Sequence, residues 1–263
     1  LVGYTAQKEL YDGININVEN YPDDIAQTIN NATIVSGWGQ AVQEWSLLSY
    51  LARLNYTFKD RYLFTATFRA DGSSRFGPNN KYGYFPSGAF AWRVSQEDFM
   101  KGISWIDDMK LRVSYGLSGN NNIGNYTFLP LAVKSNYVFG GQLASGKGRS
   151  SLQNYDLTWE ESSQWDAGID LALFKSRVNI VLDYYRRITR SMLYVSEIPQ
   201  SSGFASTTIN SGEVLNHGVE LGITSQNTKG AFEWNTNFNI AFNRNKVLAL
   251  NENNDPIYSG RSG

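Results

Sequence analysis

The chain has 263 residues, of which 41% are hydrophobic and 14% aromatic, and a formal net charge of −1. That length suffices for one large domain or two small ones, and the near-neutral charge gives nucleic acid no hold on the molecule as a whole. With no cysteine, thiol catalysis, thiolate metal sites and disulfides are excluded. No stretch approaches the ~18 apolar residues of a membrane-crossing helix. The mean hydropathy of −0.37 suits a soluble protein, yet a membrane barrel gives similar values because lipid-facing and lumen-facing residues alternate and average out. No signal peptide begins the chain: Leu1 already stands in an alternating segment, which reads as a truncated start.

Leu1 to Glu9 reads as the tail of a strand, with Val2, Tyr4 and Ala6 on one face. Residues 10–44 are rich in Asn and Asp and read as a long polar loop. Three strands follow between Leu48 and Val94. In the first, Leu48, Tyr50, Ala52, Leu54, Tyr56 and Phe58 alternate with Ser49, Leu51, Arg53, Asn55 and Thr57. Side chains on a strand point to opposite faces in turn, so one face is apolar and the other largely polar. The second strand sets Tyr62, Phe64, Ala66 and Phe68 against Thr65, Thr67, Arg69 and Asp71, and the third sets Phe90 and Trp92 against Ser87 and Arg93. Within 95–108, Ser95 is placed as the N-cap of one helical turn, with Asp98 three residues on.

Lys110 to Ser118 is a further strand, with Leu111, Val113, Tyr115 and Leu117 opposed to Lys110, Arg112 and Ser114. Residues 119–157 form a second polar segment, in which Phe128 to Val133 is a candidate hairpin arm and the glycines read as turn residues. Strands resume at Thr158, where Ala167, Ile169 and Leu171 oppose Asp166, Gly168 and Asp170. Past a turn at Lys175 and Ser176, Val178, Ile180 and Leu182 oppose Asn179 and Asp183. A third polar loop covers 190–211. Leu215, His217, Val219 and Leu221 then alternate with Asn216, Gly218 and Glu220, and Phe238, Ile240 and Phe242 with Asn235, Asn237 and Asn239.

About nine strands result, many of ~9–14 residues, the length that crosses a bilayer at a tilt. Strands in soluble sheets centre on ~5–6 residues. The connections at 10–44, 72–85, 119–157 and 190–211 are long or polar, those at 58–60, 174–176 and 226–230 are tight, and 95–108 is intermediate. An outer-membrane barrel sorts its connections in this way, and its interfacial girdles suit Phe58, Tyr62, Phe174 and Trp234 at strand ends. The pattern therefore predicts an all-β, antiparallel up-and-down transmembrane β-barrel. A soluble or cell-surface β-sandwich that binds carbohydrate is the alternative.

The predicted lipid face comprises Leu48, Tyr50, Leu54, Phe64, Phe68, Phe90, Leu111, Val113, Ile169, Leu171, Ile180, Leu182, Val219, Leu221, Phe238 and Ile240. The predicted lumen face carries Arg53, Arg69, Asp71, Arg93, Arg112, Asp166, Asp170, Asn235, Asn237 and Asn239. Those charges are candidates to grip a plug or line a permeation path; the alternative is that they simply solvate the interior. No catalytic pair emerges: Glu160 and Glu161 point to opposite faces, and Asp166 and Asp170 lie ~13 Å apart along a strand. His217, the single histidine, falls on the apolar face and is a poor metal ligand alone. Asn251, Asn253 and Asp255 echo a calcium loop but lack its Gly and closing Glu. No enzyme activity, cofactor or metal is expected.

Several ordered blocks carry a resemblance. YTFKDRYLFTATFRADGSSRFGPNNKYGYFPSGAFAWRVSQEDFM, IDDMKLRVSYGLSGNNNIGNY, DLTWEESSQWDAGIDLALFKSRVNIVLDYYRRITRSMLY and NSGEVLNHGVELGI resemble the barrel of SusC/RagA-type TonB-dependent outer-membrane transporters. The resemblance runs from about Ser49 to the end. It implies a barrel of about 22 strands in the outer membrane of a Gram-negative, Bacteroidota-like bacterium, and import of oligosaccharides or peptides. It also implies a SusD-like surface lipoprotein at the extracellular face and a TonB complex engaged through an N-terminal box. Plug, box and closing strands are absent from these residues, so an internal barrel fragment is expected: an open curved sheet edged by Leu1–Glu9 and Phe232–Phe242.

Overall fold

The computed structural model describes residues 1–22, 25 and 27–250. Its strands are β1 (Val2–Glu19), β2 (Ile34–Phe58), β3 (Tyr62–Ser73), β4 (Tyr82–Arg93), β5 (Ile106–Asn120), β6 (Ala132–Phe139), β7 (Gln142–Arg149), β8 (Glu160–Leu173), β9 (Val178–Arg190), β10 (Leu193–Glu197), β11 (Ser206–Asn210), β12 (Glu213–Thr228) and β13 (Trp234–Ala249). Nine of them form one sheet in the order β1-β2-β3-β4-β5-β8-β9-β12-β13, every neighbour antiparallel. The hairpins β6–β7 and β10–β11 stand apart from it. Strands β1 and β13 each have a neighbour on one side alone, so the sheet is open.

Residues opposed in an antiparallel ladder share a face, and the register carries the alternation unbroken across the sheet. One row reads Tyr62, Trp92, Leu111, Ile169, Leu182, Leu221, Ile240. The row beside it, on the opposite face, reads Leu63, Ala91, Arg112, Gly168, Asp183, Glu220, Ala241. Among the described residues nothing covers the apolar rows: Leu54 is 67% exposed and Phe242 64%. The accessible surface totals 18565 Å², against about 11,500 Å² for a compact monomer of this mass. Among the described residues the other sheets are two-stranded hairpins at one end, and no second sheet of comparable size faces the nine strands as a sandwich requires.

The ends of the sheet differ. At one end lie the connections 59–61, 94–105, 174–177 and 229–233, and at the other 20–33, 74–81, 121–159 and 191–212. Tight turns need backbone in the left-handed region, and Lys59, Asp60, Phe174, Lys175 and Ser176 all have φ between +52° and +61°. We call these the turn end and the loop end.

Four expectations require correction. Residues 10–44 are not a loop: β1 and β2 continue through them as a paired ribbon from Leu10↔Glu44 to Glu19↔Ile34, leaving 20–33 as the connection. Ser95 caps no helix; two 3-10 turns, Val94–Gln96 and Asp98–Met100, lack side-chain caps, and the Ser95 hydroxyl donates to Asp108 at 2.6 Å instead. The hairpin within 119–157 begins at Ala132 rather than Phe128, its turn made by Gly140 and Gly141 at φ +57° and +78°. Residues 190–211 contain the short pair β10–β11, whose strands have five residues each.

Candidate functional site

On the polar face, β5, β8 and β9 bring four charges together. The Arg112 guanidinium donates to Asp170 at 2.7 Å and to Asp183 at 3.0 Å, and Lys110 Nζ lies 2.6 Å from Asp170. Arg112, Gly168 and Asp183 are opposed in one row, so Arg112 must pass over the middle strand to reach Asp183. It can do so because position 168 has no side chain; a Cβ there would run into Asp183 Oδ1 and the guanidinium. Beside this group, Ser114 donates to Asp166 at 3.2 Å and Gln164 to Asp166 at 2.8 Å. Nearer the loop end, Arg69 Nε donates to Asp71 at 2.6 Å and its NH2 group to Ser49 at 3.2 Å, with Ser49 fully buried.

Above this face the loop end folds into one body. Phe76, Phe85, Ile123, Leu157 and Trp159 form its core, and Phe76 and Leu157 are completely buried. The Phe85 ring lies where Cβ atoms on Gly83 and Gly119 would stand. Polar side chains stitch the segments together. Arg75 donates to Asn125 at 3.0 Å and lies over the Trp45 ring at 4.6 Å. Asn121 donates to Ser73 at 3.0 Å, Asn80 to the Asp156 carbonyl at 3.1 Å, and Asn154 to the Thr208 carbonyl at 2.8 Å. Asn210 donates to the Thr158 carbonyl at 2.8 Å and accepts from the Thr158 amide.

At the turn end, Glu97 is the residue that sequence reasoning missed. Its carboxylate accepts from Tyr62 at 2.7 Å, Arg61 at 2.8 Å and Trp92 Nε1 at 3.0 Å. The Tyr62 hydroxyl foremost, then Trp92 and Arg61, holds the Glu97 carboxyl below the usual carboxylate range. The available signal was an acid five residues after a tryptophan that ends a strand. Around it Phe58, Tyr62 and Trp92 form a stacked series with centroids 6.3–6.4 Å apart, and Trp105 stacks on Phe174 at 6.4 Å.

All ten polar residues singled out from the sequence lie on the polar face by register. The structure brings Arg112 and Asp170 together, and Arg69 and Asp71. Arg53 donates to Thr67 at 3.2 Å, and Asn235, Asn237 and Asn239 are exposed on the edge strand β13. Among the described residues, no group of His, Asp and Glu could hold a metal ion, and no helix is long and apolar enough to cross a membrane. Asn251, Asn253 and Asp255 lie outside the described residues.

Comparison with known proteins bears on this two-faced sheet. The family described as TonB dependent receptor-like, beta-barrel, matches residues 2–262. TonB-dependent receptor P39 of Formosa agariphila is 38% identical over 253 residues, covering 95% of this chain and 24% of the relative. TonB-dependent receptor SusC of Bacteroides thetaiotaomicron is 38% identical over 226 residues, covering 83% of this chain and 22% of the relative. The chain thus spans about a quarter of the length of the curated relatives it matches. The RagAB peptide transporter structure superposes with a TM-score of 0.84 at 29% identity, over 95% of this chain and 28% of that one. A match along essentially its whole length, together with an open antiparallel sheet that follows the RagAB wall, places the chain in the TonB-dependent receptor β-barrel family.

Proposed function

We propose that the chain forms wall strands of an outer-membrane, TonB-dependent active transporter that imports oligosaccharides or peptides with a SusD-like surface lipoprotein. The observation that carries this is the register: exposed apolar rows on one face from β2 to β13, and on the other a largely polar face with ion pairs on β3, β5, β8 and β9. Only a solvent that is hydrocarbon on one side and water on the other satisfies both faces. On this reading the apolar face meets lipid, and the face bearing Arg53, Arg69, Asp71, Arg93, Arg112, Asp166, Asp170, Asn235, Asn237 and Asn239 meets the lumen. The loop-end body faces outward to the lipoprotein and the arriving substrate. The TonB complex supplies the energy from the periplasm, and the receptor moves its substrate without transforming it.

The test uses the full-length receptor in cells. A cysteine introduced at Ser145, in the exposed hairpin β6–β7, is labelled from outside intact cells, while one at Lys59 is protected. Deleting 121–159 impairs uptake of the nutrient and leaves a heat-modifiable barrel in the outer membrane. Labelling at Lys59 with protection at Ser145 reverses the orientation. Undiminished uptake after the deletion removes the loop end from the transport path.

A further inference from the structure

On three adjacent strands the outward apolar run is interrupted in the same row, before Ile188 and Leu215 resume it on two of them. After Tyr184 comes Arg186, after Val219 comes His217, and after Phe242 comes Arg244; these three polar residues are opposed across β9, β12 and β13. Both arginines are exposed, and neither has an ion-pair partner among the described residues. Strands are ~4.8 Å apart, so Arg186 and Arg244 stand on either side of His217 about 10 Å apart along the row, a span that two arginine side chains can close on a single phosphate. The carboxylates at these strand ends, Glu161 and Glu213, both stand opposite Arg190, and Glu213 pairs with it at 3.2 Å. Glu213 is thus occupied, and Glu161 stands beside Arg190 at the strand end rather than in the row itself, which is left cationic. Below the row, Tyr184, Val219 and Phe242 help line a groove of about 550 Å³. The row continues through Trp165, whose ring lies 4.6 Å from Tyr115, an aromatic pair of the kind that marks a membrane–water boundary.

We propose that Arg186, His217 and Arg244 bind the phosphate of a phosphorylated glycolipid of the outer leaflet, with an acyl chain in the groove beneath. A free anion would use the cations and ignore the groove. A neutral lipid would use the groove and leave two unpaired guanidiniums beside hydrocarbon, which is costly. A lipid with both parts satisfies the whole surface. The proposal rests on the outer-membrane reading above.

The experiment uses the full-length receptor in detergent, with phosphorylated lipid A, the same lipid dephosphorylated, and inorganic phosphate as probes. Two cations at a lipid surface together give about a thirtyfold gain in affinity, so Arg186→Gln/Arg244→Gln loses about that factor for phosphorylated lipid A. Arg186→Lys/Arg244→Lys, which keeps both charges, stays within a few-fold of wild type. Arg187→Gln, on the opposite face of the same strand, binds as wild type does. Heat-modifiable migration reports the barrel separately. A folded barrel whose Arg186→Gln/Arg244→Gln variant binds phosphorylated lipid A as tightly as wild type overturns the site and leaves the outer-membrane reading intact. Equal retention of the dephosphorylated lipid, or displacement by comparable concentrations of inorganic phosphate, also overturns it. A receptor that remains monodisperse without detergent overturns the outer-membrane reading itself.

Discussion

The two ends of the same sheet are built on opposite plans. The loop end hides its aromatic rings: Phe76 is completely buried, Phe85 and Trp159 nearly so, beneath segments drawn from three connections. The turn end displays its rings instead, with Phe58 at 44%, Trp105 at 52% and Phe174 at 54% exposure, Phe58 stacked on Tyr62 and Trp105 on Phe174. Water is excluded at the loop end by protein. At the turn end the rings have an apolar body and, in Tyr62 and Trp92, a hydrogen-bonding handle, the combination that suits a lipid–water boundary. A barrel wall has no central core, so its folded mass gathers where the connections are long enough to pack against one another.

The contrast is broken most severely at the loop end. Phe76→Ala removes the centre of the only packed core among the described residues and is expected to cost about 3–5 kcal/mol of local stability. Hydrogen exchange should show 121–131 and 150–159 losing protection together while the sheet strands keep theirs. Uniform loss across the sheet would mean the two ends are not separable. Midway between them, Leu182→Arg on the apolar face should cost roughly 2–4 kcal/mol in lipid, and Asn179→Arg on the polar face little. Unfolding titrations in liposomes measure both, and equal effects would erase the distinction between the faces.

Gly168→Ala is a smaller probe. The added methyl displaces Arg112 from Asp183 while leaving its contact with Asp170 possible, an expected loss of about 1 kcal/mol for a partly exposed pair. Asp183→Ala combined with it should add little, since the two changes remove the same contact. At the turn end, Glu97→Gln has the smallest expected effect and a pH signature. The folded-state value of Glu97 lies below its ordinary 4.5, so its stabilisation is fully present above 4.5 and is lost as pH falls through the lowered value. Wild-type hydrogen-exchange protection over 94–100 should therefore fall below pH 4.5, and that of Glu97→Gln should be lower at neutral pH and flat. A wild-type profile as flat as the variant's would remove Glu97 as the organiser of that turn.

The sheet strands were legible because each carries its solvent preference on alternate residues, as Leu54, Tyr56 and Phe58 do against Arg53, Asn55 and Thr57. The ribbon from Leu10 to Glu44 was missed although Ile14, Ile16 and Val18 alternate with Asn15, Asn17 and Glu19. Its abundant Asn and Asp resemble loop composition, and ladder hydrogen bonds that ignore side chains hold it as a strand pair. Pair β10–β11 is too short for a period to show. The polar face was legible as a face, but its pairings were not. That Arg112 meets Asp183 depends on Gly168 between them, a cross-strand fact that no single stretch of sequence contains. The loop-end core escaped for a related reason: Phe76, Ile123 and Leu157 come from segments with no periodicity, joined only when the strands beneath align them.

The stitched loop end has a consequence for chimeras. Asn121, Asn154 and Asn210 each satisfy a partner on a different connection or strand end, at 3.0, 2.8 and 2.8 Å. A chimera that transplants one connection from a relative inherits half of each handshake and buries the orphaned half at a cost of about 1–3 kcal/mol apiece. Segments 74–81, 121–131, 150–159 and 191–212 are therefore coupled, and a graft that carries all four keeps every handshake that a graft of one connection breaks.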